Sequence, residues 1–212
     1  MAQAQKTFVS KKDESPRLFE NDFMDYFSRV YWWVPMIIFV PVIGYFAYLG
    51  IAEDGLGWLK FGLLMAGGIL MWTFFEYMVH RFVFHLHPTN EVLKKIHYVA
   101  HGIHHDYPQD SLRLVMPPAV SIPLALITYF LTSVICNALG APEVTNTLFS
   151  GFVLGYLGYD MLHYATHHAK WRNATFQWLK AYHMKHHYVD PDAGFGITND
   201  LWDRIFRTGF KK

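Results

Sequence analysis

Histidine is the residue type whose spacing in this sequence could do chemistry. The segment HYVAHGIHHDYP, residues 97–108, holds four histidines, and ten of the 13 histidines in the chain fall into four short motifs. Neutral imidazole is a common ligand of iron, zinc, copper and nickel, so dense and regularly spaced histidines indicate a transition-metal site. The ten candidate ligands are His80, His85, His101, His104, His105, His163, His167, His183, His186 and His187.

The spacing predicts how these side chains are displayed. Residues three or four apart lie on one face of a helix, so each HxxHH motif, at 101–105 and at 183–187, is predicted to present three imidazoles to a common point. The HxxxH motif at 163–167 presents two. The separation of five between His80 and His85 fits a single face poorly. It indicates either that the pair extends beyond the regular end of a helix or that its members serve different metals.

Ten imidazoles exceed the three or four protein ligands of a typical mononuclear site, so two metal ions are predicted. Metal-bound histidines usually donate their second N–H to a carboxylate or a carbonyl. Glu76 and Asp160 each precede a candidate ligand by about one helical turn, and they either fill that role or mark the membrane interface. Weaker candidates for supporting or additional contacts are His97, Asp106, His168 and Asp203, and His87 is predicted to be structural.

The overall composition narrows the class of protein. Of the 212 residues, 52% are hydrophobic, the formal net charge is +1, and the basic residues form no stripe interleaved with aromatics. These features favour a membrane protein and exclude a typical nucleic-acid binder. Cys136 is the single cysteine, so neither a disulfide framework nor a cysteine-ligated zinc site is predicted.

Four apolar runs predict transmembrane helices, at 30–52, 61–75, 114–142 and 144–159. A helix rises about 1.5 Å per residue, so roughly 20 apolar residues cross the hydrocarbon core of a bilayer. The second and fourth runs are slightly short for this, and both continue into a carboxylate and a histidine. The sequence therefore predicts four spans in two hairpins, with the histidines at one membrane face.

The distribution of basic residues predicts the orientation. Lysines and arginines lie before the first run, between the second and third, and after the fourth, whereas the linkers at 53–57 and 140–146 contain none. By the positive-inside rule, both termini and every histidine are predicted to face the cytoplasm. The membrane is then a bacterial cytoplasmic membrane or that of the endoplasmic reticulum. Residues 1–24 are predicted to be a polar N-terminal tail that lacks the apolar core of a secretory signal, and residues 25–212 the membrane domain.

Six segments, taken in order, resemble the fatty acid hydroxylase superfamily: EYMVHRFVFH, HGIHHDYP, RLVMPP, YDMLHYATHH, YHMKHHY, and GFGIT followed by WDRIF. RLVMPP and the GFGIT tail look most like fatty acid 2-hydroxylases that act on sphingolipid acyl chains. The resemblance covers roughly residues 25–208. It implies an all-α integral membrane protein with four transmembrane helices under a cytosolic helical cap, which holds a histidine-rich dimetal centre with the same ten ligands.

The chemistry that this resemblance implies is O2-dependent hydroxylation at C2 of a fatty acyl chain, in a ceramide, another sphingolipid or a free fatty acid. An unactivated C–H bond requires a redox-active metal, so two iron ions, O2 and external electrons are expected. Zinc has no redox chemistry, although imidazole sites accept it readily in purified protein. Many relatives carry a fused cytochrome b5 domain where this sequence has a short polar segment, so a separate donor such as cytochrome b5 or ferredoxin is expected. A second departure is Arg207 before Thr208, where the family usually has Gly-Thr.

Other functions share parts of this pattern. A sterol or carotenoid hydroxylase, or an acyl desaturase, belongs to the same dimetal class, and the RLVMPP and GFGIT segments favour acyl 2-hydroxylation over these. A membrane metal transporter would place its ligands near the middle of the spans, whereas these histidines stand at or beyond the ends of apolar runs. The sequence contains no HExxH motif of a metalloprotease.

Overall fold

The computed structural model describes residues 8–211, and every regular element in that range is a helix. Two turns of π-helix, His80–Phe84 and Tyr98–Gly102, continue the third and fourth α-helices, and a short 3-10 turn covers Pro142–Val144. The α-helices are α1 Asp22–Phe27, α2 Val34–Ala52, α3 Trp58–Val79, α4 Glu91–His97, α5 Ile103–Asp106, α6 Pro118–Ala138, α7 Thr145–His168, α8 Ala174–Tyr188 and α9 Leu201–Phe206.

Helix α7 is the centre of the bundle, and 16 of its 24 residues are buried. It packs extensively against α3 and α2, and less extensively against α6. The core between these helices is largely aromatic, with Trp72 edge-to-face on both Phe152 and Tyr156, and Phe39 edge-to-face on Tyr156. Such ring pairs stabilise a fold beyond the area that they bury. Helix α7 is therefore the support against which the other long helices are placed.

Glycines let α3 and α7 approach closely where they cross. A Cβ atom added at Gly68 would lie 2.3 Å from the carbonyl oxygen of Leu148, and one added at Gly151 would lie 2.3 Å from that of Met65. The two backbones are therefore in contact, as small residues permit in helices packed within membranes. This close crossing fixes the relative positions of the histidines at the ends of both helices.

Three helical segments are long and apolar enough to cross a membrane, judged by length and composition: Val34–Ala52, Trp58–Phe84 and Pro118–Ala138. They correspond to the first three predicted runs, and the second is longer than its apolar stretch because flanking residues continue the helix. The fourth run forms part of α7, which carries buried threonine, serine and histidine side chains and is not among the three. That α7 crosses the membrane stays a prediction.

The two linkers between the long helices meet at one end of the bundle. The side-chain amide of Asn146 donates to Asp54 at 3.0 Å, and the ammonium of Lys60 pairs with Glu143 at 3.1 Å. Since α3 and α7 both begin at this end, their histidine-bearing ends lie together at the other. This is the arrangement that two hairpins require.

Short helices at the opposite end carry most of the remaining histidines. Asn90 caps α4, and its side-chain oxygen accepts the backbone N–H of Val92 at 2.8 Å. Asn173 caps α8 in the same way, accepting the N–H of Phe176 at 2.8 Å. Asparagine is among the preferred N-cap residues because its side chain satisfies an N–H that has no partner within the helix. These caps define where the two ligand-bearing segments begin.

The chain before α1 packs against the same end of the molecule. The N–H of Val9 donates to the carbonyl of Asp106 at 2.8 Å, and the N–H of Ser111 donates to the carboxylate of Asp13 at 2.9 Å. The boundary predicted at residue 24 stays a prediction. From residue 8 onward, however, this segment is hydrogen-bonded to the histidine-bearing part of the fold.

Arg207 ends α9 in the left-handed region, with φ 57° and ψ 39°. It is the one non-glycine residue with positive φ within residues 8–211, and it occupies the position where the resembling family usually has glycine. The turn places Thr208, whose N–H donates to the carbonyl of Asp203 at 2.9 Å and whose hydroxyl donates to its carboxylate at 2.7 Å. The sequence departure therefore falls where a Cβ atom is unfavourable.

Replacing Arg207 with glycine is expected to raise the free energy of unfolding by about 1 kcal/mol, because glycine adopts positive φ without steric cost. Denaturant or thermal unfolding of the purified protein in detergent would measure the change. Arg207→Ala is the matched control, since it removes the charge but keeps the Cβ atom, and no gain is expected. An equal gain from both variants would show that charge, and not backbone conformation, is responsible.

Candidate metal centre

The histidine nitrogens gather into two groups, each with its candidate ligand atoms within 4.8 Å of one another. Within the described part of the chain, neither group includes a carboxylate or a thiol. All ten histidines predicted as ligands belong to one group or the other, which agrees with a count of two metal ions. Group A consists of His80, His85, His101, His105 and His186, and group B of His104, His163, His167, His183 and His187.

Each HxxHH motif is divided between the two groups, so the expectation that its three imidazoles face one point is wrong. In the first motif, His101 and His105 belong to group A and His104 to group B. The second motif is divided in the opposite sense. Adjacent residues on a helix point about 100° apart, so the second and third histidines of a motif diverge. The groups are neighbours, since the ring centroids of His105 and His187 are 4.4 Å apart.

A turn of π-helix over His80–Phe84 accounts for the five-residue spacing of His80 and His85. The N–H of His85 donates to the carbonyl of His80 at 3.1 Å, a bond that spans five residues. Because a π-turn is wider than an α-turn, residues five apart return to one side. Both side chains lie in group A, so the structure favours the first alternative, in which the pair extends beyond the regular end of α3.

Distances between ring nitrogens within each group suit a shared ion. In group A, Nε2 of His101 lies 3.2 Å from Nε2 of His80 and 3.0 Å from Nε2 of His105. In group B, Nε2 of His163 lies 3.0 Å from Nε2 of His104. Imidazole nitrogen binds transition metals at about 2.0–2.1 Å, which places neighbouring ligands of one ion roughly 3 Å apart. The donor set and its spacing therefore fit a pair of transition-metal ions.

Backbone carbonyls set the tautomer of three of these histidines. Nδ1–H of His80, His163 and His186 donates to the carbonyl oxygens of Phe195, Leu114 and Ala193, at 2.5, 2.9 and 2.9 Å. With the proton on Nδ1, the lone pair of Nε2 is free to bind a metal. Among the described residues, Nε2 of His186 is buried without a hydrogen-bond partner, as expected for a nitrogen whose lone pair would bind a metal ion.

Two acidic residues hold the GFGIT loop that supplies one of these carbonyls. Glu76 accepts the backbone N–H groups of Ile197 and Thr198 at 2.7 and 3.0 Å. Asp203 accepts the N–H of Phe195 at 3.0 Å. Both carboxylates are buried, and hydrogen bonds from backbone amides offset the cost of burying them. The resembling family's GFGIT and WDRIF segments are therefore joined here by Asp203.

Asp160 holds the RLVMPP segment in the same manner. Its carboxylate oxygens accept the N–H of Met116 at 3.3 and 3.4 Å, two residues beyond the Leu114 carbonyl that orients His163. Of the two roles left open for Asp160 and Glu76, a direct bond to a histidine ring is not found, because the Nδ1 atoms of His80 and His163 contact carbonyls instead. Each acid faces a neighbouring loop, and the loop's carbonyl reaches the ring instead.

The weaker histidine candidates lie outside both groups. His97 is half-buried. His168 is also half-buried, and its ring stacks on Tyr164 with centroids 4.8 Å apart. His87 is exposed and lies 3.6 Å from the carboxylate of Asp192. None of these three residues belongs to either group of candidate ligand atoms.

Burial lowers the pKa of the histidines in the short helices. Desolvation lowers the pKa of His85 to about 3 and that of His186 to about 4, although the Ala193 carbonyl raises the latter. Desolvation and neighbouring imidazoles also lower the pKa of His101, His104, His105, His183 and His187. These rings are neutral at physiological pH, the state in which imidazole binds metals.

A cavity of about 500 Å³ opens beside both groups. Much of its lining is apolar, and it also includes His101 from group A together with His104 and His163 from group B. A volume of this size is typical of small-molecule sites, which combine apolar walls with a few convergent polar groups. Apolar wall residues include Val99, Val115, Met116 and Val120.

Comparison with known proteins identifies the family. The family model described as Fatty acid hydroxylase matches residues 65–208. The chain is 40% identical over 195 residues to the dihydroceramide fatty acyl 2-hydroxylase FAH2 of Arabidopsis thaliana, which covers 92% of this chain and 80% of the relative. The chain belongs to the fatty acid hydroxylase family.

Two further matches agree with this assignment. The fatty acid 2-hydroxylase of Mus musculus is 34% identical over 213 residues, covering 91% of this hydroxylase and 56% of the mouse protein. A solved structure of full-length scs7p, in which only the hydroxylase domain is visible, is 33% identical with a TM-score of 0.81, covering 90% of this chain and 70% of that one. The resemblance carried by the six motifs is confirmed.

No residue pattern predicts the carbonyls that orient the rings of the hydroxylase. Every residue has a backbone carbonyl, so no residue type distinguishes Leu114, Ala193 or Phe195. The signal lies in RLVMPP, which contains Leu114, and in GFGIT, which contains Phe195 and directly follows Ala193, since both segments accompany the histidine motifs without supplying a ligand. A family motif that lacks ligands is therefore a guide to the residues that support them.

The division of the HxxHH motifs predicts which substitutions remove metal from the hydroxylase. His186→Ala and His104→Ala are each expected to lower the metal content from about two ions per chain, because each removes a ligand from one group. His97→Ala is the matched control, and about two ions per chain are expected to remain. Elemental analysis of purified protein would measure this. Equal loss from His97→Ala would contradict the grouping.

The depressed histidine pKa values predict a loss of stability in acid. Below about pH 6.5 the unfolded chain gains protons that the folded metal-free hydroxylase does not, so the free energy of unfolding falls as pH decreases toward the pKa of His186, about 4. Above about pH 6.5 these groups add no further pH dependence. Thermal unfolding of metal-free protein between pH 5 and 7.5 would measure the trend, with His87→Ala expected to follow the same slope. Greater stability on acidification would contradict it.

Proposed function

We propose that this chain is a membrane-bound, O2-dependent hydroxylase that acts at C2 of a fatty acyl chain, in a ceramide, another sphingolipid or a free fatty acid. One observation carries the proposal: a largely apolar cavity is lined by His101, His104 and His163, which come from both histidine groups. The relatives that share the family are named as dihydroceramide fatty acyl and fatty acid 2-hydroxylases, which supports the position and the substrate class.

The cavity is suited to an acyl chain because moving an apolar chain from water onto an apolar wall is favourable. Two cationic residues belong to the wall. The guanidinium of Arg113 is buried and paired with Asp110 at 3.1 Å, and it lies 3.7 Å from Asp25. Lys95 is exposed and is available to a polar or anionic end of the substrate. The lining therefore offers apolar contact to a chain and one exposed cation, Lys95, to its polar end.

The ten histidines would hold two metal ions, and bound iron would supply the O2 activation that an unactivated C–H bond requires, with electrons from a separate donor such as cytochrome b5 or ferredoxin. Zinc would occupy the same imidazoles without supporting this reaction. The protein's own contribution is to keep the rings neutral and to direct their lone pairs inward through the carbonyls of Phe195, Leu114 and Ala193.

The proposal includes the placement of the chain in the membrane. Helix α7 would be the fourth span, residues 25–212 the hydroxylase domain and residues 1–24 its N-terminal tail. Both termini and the histidines would face the cytoplasm, and the membrane would be a bacterial cytoplasmic membrane or that of the endoplasmic reticulum. The hydrogen bond between Asn146 and Asp54 supports the arrangement in two hairpins, because both linkers then lie at the end opposite the histidines.

Lipid analysis by mass spectrometry tests the reaction. The protein would be expressed with a matched redox donor in a sphingolipid-producing host that lacks 2-hydroxylase activity. We expect one added oxygen at acyl C2 with the wild-type chain and none with the His163→Ala, His167→Ala double variant, because group B then loses two ligands. The control is His87→Ala, an exposed histidine outside both groups, which is expected to retain the product.

Other products would change the assignment. A new double bond would identify a desaturase, and a hydroxylated ring would identify a sterol or carotenoid hydroxylase. Failure to form any oxygenated lipid, with two iron ions bound and the donor present, would contradict the proposed function while leaving the metal centre in place.

A further inference from the structure

Helix α4 is amphipathic, yet none of its seven residues is buried. On a helix of this length Val92, Leu93 and Ile96 fall on one side, and Glu91 and Lys94 on the other. The π-turn that follows adds Val99 to the apolar side. We call Val92, Leu93, Ile96 and Val99 the α4 surface; these four residues are between 38% and 64% exposed.

The α4 surface follows the candidate span Trp58–Phe84 closely in the sequence, and the end of that span is also apolar and exposed. Phe82 and Val83 are each about half exposed, and Leu86 follows them. Exposed apolar residues therefore occur both at the end of the span and, a few residues later, on α4. A bilayer that surrounds the span is a cover available to both.

Charge supports a bilayer over a protein partner. Lys94 and Lys95 are both exposed on α4, and Lys94 lies on the side away from the apolar residues, paired with Glu91 at 2.8 Å. A helix that lies in a membrane interface has this composition, with apolar residues toward the acyl chains and lysines toward the headgroups. The helix is then stable in a position where it buries none of its residues within the protein.

The same surface borders the cavity that reaches the histidines. Ile96 and Val99 belong to both the α4 surface and the cavity wall, and Leu18 and Phe19 of the N-terminal segment also line the cavity. Both of these N-terminal residues donate their N–H groups to Asp25, at 2.7 and 3.2 Å. Ile96 and Val99 therefore line the cavity and are also exposed on the apolar side of α4.

We propose that the α4 surface inserts into the bilayer interface and that lipid chains pass from the membrane into the cavity beside Ile96 and Val99. The insertion does not depend on the proposed function. The passage of lipid chains rests on it, because it supposes that the cavity holds an acyl chain.

Site-directed fluorescence in nanodiscs of phosphatidylcholine and phosphatidylglycerol tests the insertion. Single cysteines at Ile96 and Lys94, in a Cys136→Ala background, would carry an environment-sensitive fluorophore. We expect quenching by nitroxide-labelled lipid to be at least about threefold stronger at position 96 than at 94, and quenching by aqueous iodide to show the reverse order. Equal quenching by iodide at both positions would show that the surface lies in water. Protection at position 96 only in discs holding two copies would show that a second chain covers it. Either result overturns the proposal.

Photolabelling tests the passage without requiring turnover. A palmitic acid carrying a diazirine would be added to the nanodiscs, and labelled peptides would be mapped by mass spectrometry. We expect adducts on residues 96–99 and 113–120, reduced about fivefold by Ile96→Glu, because a charge at this position opposes the insertion of both helix and lipid. Val189→Glu, which adds a charge at an exposed apolar residue outside the surface, is the matched control and should leave the yield unchanged.

Adducts confined to the outer faces of the long helices, or unaffected by Ile96→Glu, would overturn the passage of lipid beside α4. Since labelling needs neither metal nor electrons, this failure is distinguishable from a failure to hydroxylate. If the protein is labelled within the cavity but forms no hydroxylated product, the passage of lipid beside α4 is supported and the proposed reaction is contradicted.

Discussion

Crowding ten imidazoles together is favourable only if each ring stays neutral and offers a lone pair toward its neighbours. A protonated ring in this setting would be desolvated and would repel the rings around it, which is why burial lowers the pKa of His85 so far. Neutrality alone does not choose the nitrogen that keeps the proton. The carbonyls of Phe195 and Leu114 make that choice, so the loops that present them are as much a part of the centre as the ligands are.

Buried acids become intelligible from this requirement. Glu76 and Asp203 hold a loop whose Phe195 carbonyl accepts Nδ1–H of His80. A loop has few packing contacts of its own, so amide-to-carboxylate bonds supply the rigidity that a helix would otherwise provide. The arrangement keeps the carboxyl groups on the loop and leaves the contacts with the metal site to neutral donors.

Much of the centre could be predicted from the sequence, because residue type and helical spacing identify a ligand. All ten histidines came together as their motifs indicated. Spacing does not predict the division of each HxxHH motif, because positions three and four residues along a helix lie on one broad face although their directions differ by about 100°. Spacing does not predict the π-turn at His80–Phe84 either, since widening a helix by one residue does not change an apolar pattern. The apolar pattern does not predict that α7 lies at the core, because the helix contains threonine and serine residues that lower its hydrophobicity.

Two pairs of residues adjacent in the chain, His104 with His105 and His186 with His187, send their side chains to different groups. The distance between the two groups therefore depends largely on the rise and rotation between adjacent residues of a helix. Each of the two pairs imposes this constraint independently. Two ions held by the groups would therefore have a separation determined mainly by the backbone of the helices that carry the HxxHH motifs.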